Sequence, residues 1–125
     1  YFINYSIFIV DSRRRDKSNM IFGGSDNVDD KNLHIGYRLN GTTFTLGQYN
    51  HDINLYGLPA YDSSNRSFSL YTMGLDTDVG QFLSFNGNSP PSAINTNKNT
   101  LESYLNAGIG GPIPFGSSWN DYYKF

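Results

Sequence analysis

The sequence predicts an all-β chain folded as a two-layer antiparallel β-sandwich. Three observations carry this. Short runs alternate apolar and polar residues, as strands with one buried face do, and no stretch of useful length repeats its apolar residues at helical spacing. Thirteen Gly and fifteen Asn suit many tight turns between short strands. Asn40-Gly41, set between NLHIGYRL and TTFTLGQY, is a strong hairpin signal, because both central residues of a type I′ turn need φ > 0.

The 125 residues suffice for one domain with a real core, spanning 1–125, and not for two. Only 38% of residues are apolar, but 16% are aromatic, large groups that fill a core or line a binding face. A net charge of −2 gives no reason to expect nucleic acid or an anionic membrane surface, and no apolar run approaches a membrane span. Without cysteine there are no disulfides or thiolate metal sites. The sequence opens at Tyr1 and closes at Phe125 inside strand-like or aromatic runs, so it is expected to be an excerpt of a longer polypeptide.

Residues 1–10 (YFINYSIFIV) read as a long, half-buried strand with Tyr1, Ile3, Tyr5, Ile7 and Ile9 on its apolar face. Asp11–Asn19 is a charged loop, and Met20–Phe22 a short strand stopped by Gly23-Gly24. After the acidic loop Ser25–Lys31 comes the Asn32–Tyr49 hairpin. A two-residue turn pairs Leu39 with Thr42, Tyr37 with Phe44, Ile35 with Leu46 and Leu33 with Gln48. Ile35, Tyr37, Phe44 and Leu46 then share the buried face, while His34, Gly36, Arg38, Thr43 and Thr45 take the polar one. Gly57 and Pro59 argue against a central strand in the turn-rich run that follows. Arg66–Met73 reads as a strand with Phe68 and Leu70 on one face, and Val79–Phe85 as another with Val79, Gln81, Leu83 and Phe85 on one side. Asn86-Gly87 repeats the hairpin signal, but Pro90-Pro91 removes ladder donors, so that hairpin is short or opens into a loop. Ser89–Asn99 is a polar loop, and Asn99 with Glu102 could cap one helical turn. Leu105, Ala107 and Ile109 alternate like a strand, and Trp119–Phe125 begins a last one. This makes seven or eight strands.

Four of these pieces, Ile7–Val10, LHIGYR with FTLGQY, QFLSFNG, and LNAGIG with YYKF, together resemble the laminin-G-like branch of the concanavalin A-like lectin/glucanase jelly rolls. Phe68 stands near where that family commonly has Trp, and the family's closing strand would lie beyond Phe125. The resemblance implies a jelly-roll sandwich and, by analogy only, recognition of a glycan or a surface protein.

The superfamily includes glucanases, which need two carboxylates about 5 Å apart. The chain has a single Glu, Glu102, in a capping context, and Asp76 with Asp78 reads as a turn beside Gly74 and Gly80, so no enzyme is expected. Laminin-G-like domains often carry a calcium site at the rim. Asp26, Asp29 and Asp30 share one loop and could supply hard oxygen ligands, although a solvated acidic loop is preferred and no other cofactor is indicated. His34 and His51 lack the companions zinc wants, and His34 reads as an ordinary surface imidazole. Arg13-Arg14-Arg15 could grip a sulfated glycan or acidic partner, but its flanking Asp11 and Asp16 favour a solvated loop. Three glycosylation sequons, at Asn4, Asn40 and Asn65, carry little weight in so Asn-rich a chain.

Aromatics in Asn-rich loops are the remaining signal. Tyr49, His51, Asp52, Tyr56, Tyr61, Trp119 and Tyr122 suit a polar ligand surface, and equally a protein interface or the packed edge of a sandwich. The expectation is a non-catalytic recognition or adhesion module on a cell or particle surface, extracellular in setting, with no membrane insertion. The alternative is a structural domain of an assembled particle, such as a virion coat or fibre, held by its neighbours.

Overall fold

The structure is a computed structural model, and it describes residues 4–13, 16, 18–23, 33–48, 50–64, 67–101 and 108–109. These form nine strands and no α-helix: β1 (Tyr5–Asp11), β2 (Asn19–Gly23), β3 (Leu33–Arg38), β4 (Thr43–Gln48), β5 (Ile53–Leu55), β6 (Ser69–Asp76), β7 (Gly80–Phe85), β8 (Ala93–Asn95) and β9 (Gly108–Ile109). They build two antiparallel sheets, ordered β1-β6-β7-β8 and β5-β4-β3-β2-β9. The chain starts in the four-stranded sheet, crosses to the other for β2 to β5, and returns for β6 to β8. The predicted β-sandwich is therefore the observed architecture.

The central hairpin keeps the expected register: Leu33 faces Gln48, Ile35 faces Leu46, Tyr37 faces Phe44 and Arg38 faces Thr43. Its tip differs. In place of a two-residue I′ turn there is one turn of 3-10 helix, Leu39–Gly41, closed by the Thr42 N–H donating to the Leu39 carbonyl at 3.2 Å. The positive φ falls on Leu39 (48°) and Gly41 (84°), and the Thr42 hydroxyl also donates to the Leu39 carbonyl at 2.8 Å. Register survives the change because it is held by the buried face, where a one-residue slip would bring the polar side inward.

Between the sheets, Phe44 stacks flat on Tyr71, with ring centroids 3.7 Å apart, and the Tyr37 ring stands edge-on to both. Ile35, Leu46, Met73, Leu83 and Leu101 complete this core. In β6 the buried set is Tyr71, Met73 and Leu75, so the expected face of Phe68 and Leu70 is the outward one. Both parities of that run are apolar, and alternation alone does not choose between them. In β7, Gln81, Leu83 and Phe85 do turn inward, whereas Val79 lies in the preceding turn and is exposed. Asp76 and Asp78 form that turn: the Asp78 N–H donates to Asp76 Oδ1 at 2.8 Å and the Val79 N–H to the Asp76 carbonyl.

Asn86-Gly87 is a true I′-type turn, with φ of 51° and 76° and the Asn88 N–H donating to the Phe85 carbonyl at 3.1 Å. It opens into a loop before β8 pairs back on β7, as the proline pair implied. One short strand contradicts the expectation of a loop: β8 lies in the supposed polar loop, at the edge of its sheet. In the turn-rich run no central strand forms, as Gly57 and Pro59 implied; β5 lies there ahead of both, at the edge of the other sheet. The expected cap at Asn99 and Glu102 extends into residues outside those described, as does most of the strand expected at Leu105–Ile109 and all of the last one from Trp119.

Candidate functional site

Arg13 organises one end of the sandwich. Its guanidinium donates to the backbone carbonyls of Gly41, at the hairpin tip, and Pro59, in the loop after β5. It lies 5.0 Å from the centre of the Tyr37 ring and 3.4 Å from the Asp16 carboxylate. Arg13 is thus a clamp on three chain segments and not part of a solvated loop, which corrects the expectation for this residue; Arg14 and Arg15 lie outside the described residues. Only Arg combines a fork for two carbonyls with a flat cation for an aromatic face.

Beside the clamp opens a cleft of about 440 Å³. One wall is the loop carrying Leu58, Pro59, Tyr61 and Asp62; the other comes from the start of β6 and the end of β7, with Phe68, Ser69 and Asn86. Tyr71 and Phe85 lie at its floor. Phe68 leaves 73% of its surface in solvent, which is unusual for a phenyl ring. Asn86 is fixed by two bonds to β6: its N–H donates to the Leu70 carbonyl at 2.8 Å, and its Oδ1 accepts from the Leu70 N–H at 2.9 Å. The Tyr61 N–H donates to Asp16 Oδ1 at 2.8 Å, which ties the outer wall to the loop after β1.

Behind the floor runs a set of buried hydroxyls. The Tyr37 hydroxyl donates to Asp11 Oδ2 at 2.7 Å and lies 3.0 Å from the Tyr71 hydroxyl. Burial pushes the Tyr37 phenol far above its ordinary range, and Tyr71 and Asp11 push it the same way. Burial raises Tyr71 too, against the opposing pull of Tyr37 and, more weakly, of Ser69 and Arg13.

A second polar cluster covers the outer face of the five-stranded sheet. Arg38 runs back along β3 over Gly36, which has no side chain to block it, and donates to His34 Nε2 at 2.7 Å and to Asp52 Oδ2 at 2.6 Å. The imidazole occupies the space above Gly47, where a Cβ would come within 1.9 Å of Nε2. His34 is only 4% exposed, which overturns the surface imidazole expected from the polar face of the hairpin. Alternation separates the two faces of a strand, but it does not say that the second is uncovered. Burial raises the Asp52 carboxyl, but His34 and Arg38 outweigh it and hold the group below the usual carboxylate range.

The aromatic and Asn-rich set chosen from sequence therefore divides. Tyr61 lines the cleft, and Asp52 belongs to the outer-face cluster. His51 sits in the turn after β4, its N–H donating to the Gln48 carbonyl at 3.3 Å, and Tyr56 projects into solvent just past β5. Tyr49, Trp119 and Tyr122, and the calcium candidates Asp26, Asp29 and Asp30, lie outside the described residues. Among the described residues no three of His, Asp and Glu converge as metal ligands. The sequence reading missed Arg13, Ser69, Tyr71 and Asn86 as cleft residues. The Asn86-Gly87 signal located its turn, but nothing local marks which residues from β1, β6 and β7 meet at one end of the sandwich.

No family model, no curated protein and no solved structure matches this chain.

Proposed function

We propose that the chain is a non-catalytic recognition module, of the concanavalin A-like jelly-roll kind, that holds a glycan in the cleft between Tyr61 and Phe68. The observation that carries this is the exposed phenyl ring of Phe68 on a cleft otherwise furnished with Ser67, Ser69, Asn86 and Asp62. A sugar ring offers an apolar C–H face to an aromatic and a rim of hydroxyls to such polar groups. Asp62 is the lone carboxylate of that lining among the described residues, and its Oδ1 accepts from both the Ser64 N–H and hydroxyl. Glycoside hydrolysis requires two. A binding role matches the expectation of an extracellular or particle-surface setting.

The test is a glycan array probed with the wild type and with Phe68→Ala, each with calcium and with chelator. Retention of a glycan class by the wild type and its loss in a folded Phe68→Ala protein is the expected result. Calcium-dependent retention would point to the Asp26–Asp30 loop.

A structural role is the second reading, favoured by the outer face of the four-stranded sheet. Phe8 and Val10 on its edge strand and Ile94 on the opposite edge are each about 70% exposed. Exposed apolar edges are what assembly covers. Sedimentation equilibrium separates the readings: concentration-dependent association abolished by Phe8→Ser would favour assembly, and a monomer would favour the recognition module.

A further inference from the structure

We infer that Asn86 is the specificity-determining residue of the cleft, its side-chain N–H donating to a ligand oxygen while the backbone of β6 holds the amide in place; this rests on the glycan reading above. Asn86 opens the turn after β7 with φ of 51°, a left-handed conformation that Asn tolerates better than most residues. There it stands opposite Leu70, one step past the last ladder partners Tyr71 and Phe85. Its N–H donates to the Leu70 carbonyl at 2.8 Å, as a ladder residue would. The return bond is taken by the side chain: Oδ1 accepts from the Leu70 N–H at 2.9 Å, in place of the Asn86 carbonyl.

These bonds decide which way round the amide lies. A backbone N–H only donates, so the atom that meets it is the oxygen, and the other branch of the planar amide is the NH2. Among the described residues Nδ2 has no hydrogen-bond partner, and Asn86 is exposed where it lines the cleft. Nδ2 offers protons and never a lone pair. The Ser67 and Tyr61 hydroxyls of the same lining turn to suit a ligand, giving or accepting, and so do not by themselves tell one oxygen from another. The Arg13 guanidinium is directed to the Gly41 and Pro59 carbonyls and to Asp16. Apolar contact with the Phe68 ring does not read hydroxyls at all. Selection therefore falls to Asn86. The ligand it fits is a saccharide that places an acceptor oxygen against Nδ2, whether hydroxyl, ether or acetamido carbonyl. A C–H in that place leaves the donor unmet.

The test exchanges polarity at this one atom. Asn86→Asp keeps the size of the side chain, its tolerance of the left-handed turn and an oxygen for the Leu70 N–H, but puts a lone pair where Nδ2 was. Methyl hexopyranosides of the class retained on the array, each with one hydroxyl replaced by hydrogen or by methoxy, are titrated by NMR against the intact chain and against this variant. At one ring position the deoxy sugar should bind the wild type about tenfold more weakly than the parent, and the methoxy sugar within about threefold of it, because an ether oxygen still accepts. In Asn86→Asp the parent hydroxyl can donate to the carboxylate and the ether cannot, so the methoxy sugar should fall about tenfold below the parent. A purely structural part in the turn would weaken all three sugars alike. The same methoxy-to-parent ratio in both proteins therefore overturns the inference, as does a wild type with no position sensitive to deoxygenation. The wild type alone supplies a second measurement that needs no variant: the Asn86 side-chain NH2 resonances should shift on binding the parent sugar, and unmoved resonances at saturation overturn the inference too. Failure of the wild type to retain any saccharide, or retention indifferent to Phe68→Ala, overturns the glycan reading itself.

Discussion

Asp52 lies between a guanidinium and an imidazole on a covered sheet face, and its charge has consequences for acid stability. Its Oδ2 takes Arg38 Nη1 at 2.6 Å and lies 3.4 Å from His34 Nε2. The folded carboxyl titrates below the usual range, so the unfolded chain binds its proton first as the pH falls. The stability it confers is fully present above an unfolded value of about 3.9 and is lost as the pH drops through the lower folded value. Asp52→Asn should therefore unfold about 1–2 kcal/mol more easily at neutral pH, the small figure reflecting a partly hydrated pair. It should also show a flatter loss of stability between about pH 4 and 2, read by urea titration at each pH. A parallel loss in both proteins would show that the cluster does not couple to the fold. Phe68→Ala is the contrasting case. With three-quarters of its surface already in water, its removal should change stability by no more than about 0.5 kcal/mol, in urea titration of the same variant that loses glycan retention.

At the scale of elements, glycines set how closely strands lie. A Cβ on Gly74, in β6, would meet the Tyr5 carbonyl oxygen of β1 at 2.1 Å, whereas one on Gly47 would meet the His34 side chain. A side chain can rotate away, but a backbone oxygen moves only with its strand. Gly74→Ala should therefore cost about 2–3 kcal/mol and loosen β1, seen as faster amide exchange from Tyr5 to Asp11, with Gly47→Ala the milder of the two. The same scale shows what the sequence made legible. Register in β3 and β4 was readable because alternation is strict and the buried face enforces it. The 3-10 tip was not, because Asn-Gly signals positive φ without saying which residues of the loop adopt it. β5 and β8 were hidden because three-residue edge strands carry too few alternating positions to outweigh Gly, Pro and Asn nearby. The cleft was hidden for another reason: it is assembled from Arg13, Tyr61, Phe68 and Asn86, far apart in sequence, and proximity between sheets leaves no periodic trace.

For the molecule as a whole, the two sheets are joined by more than apolar contact. Gln48 and Gln81 are almost wholly buried on facing strands β4 and β7, and Gln81 Nε2 donates to Gln48 Oε1 at 3.0 Å. Gln48 uses its other end as well, with Nε2 donating to the Asn99 carbonyl at 2.8 Å, and the Tyr5 hydroxyl also donates to its Oε1 at 3.4 Å. It thus touches both sheets and the segment after β8. Gln81 Oε1 is buried with no hydrogen-bond partner among the described residues, so Gln81 already bears part of the cost of burying an amide. The two residues should then respond unequally to replacement by Leu, which is similar in size and asks for no partner. Gln48→Leu leaves the Gln81 amide stranded between the sheets and should cost about 2–3 kcal/mol. Gln81→Leu removes an unsatisfied oxygen together with one bond and should cost about 1 kcal/mol or less. The double variant should lie well below the sum of the singles, with a coupling of about 1 kcal/mol or more, because replacing both partners leaves nothing to desolvate. Urea unfolding of the four proteins gives this cycle directly. Strict additivity would mean that each amide finds its own accommodation and that the sheets are held by the Phe44 and Tyr71 stack and its apolar neighbours alone.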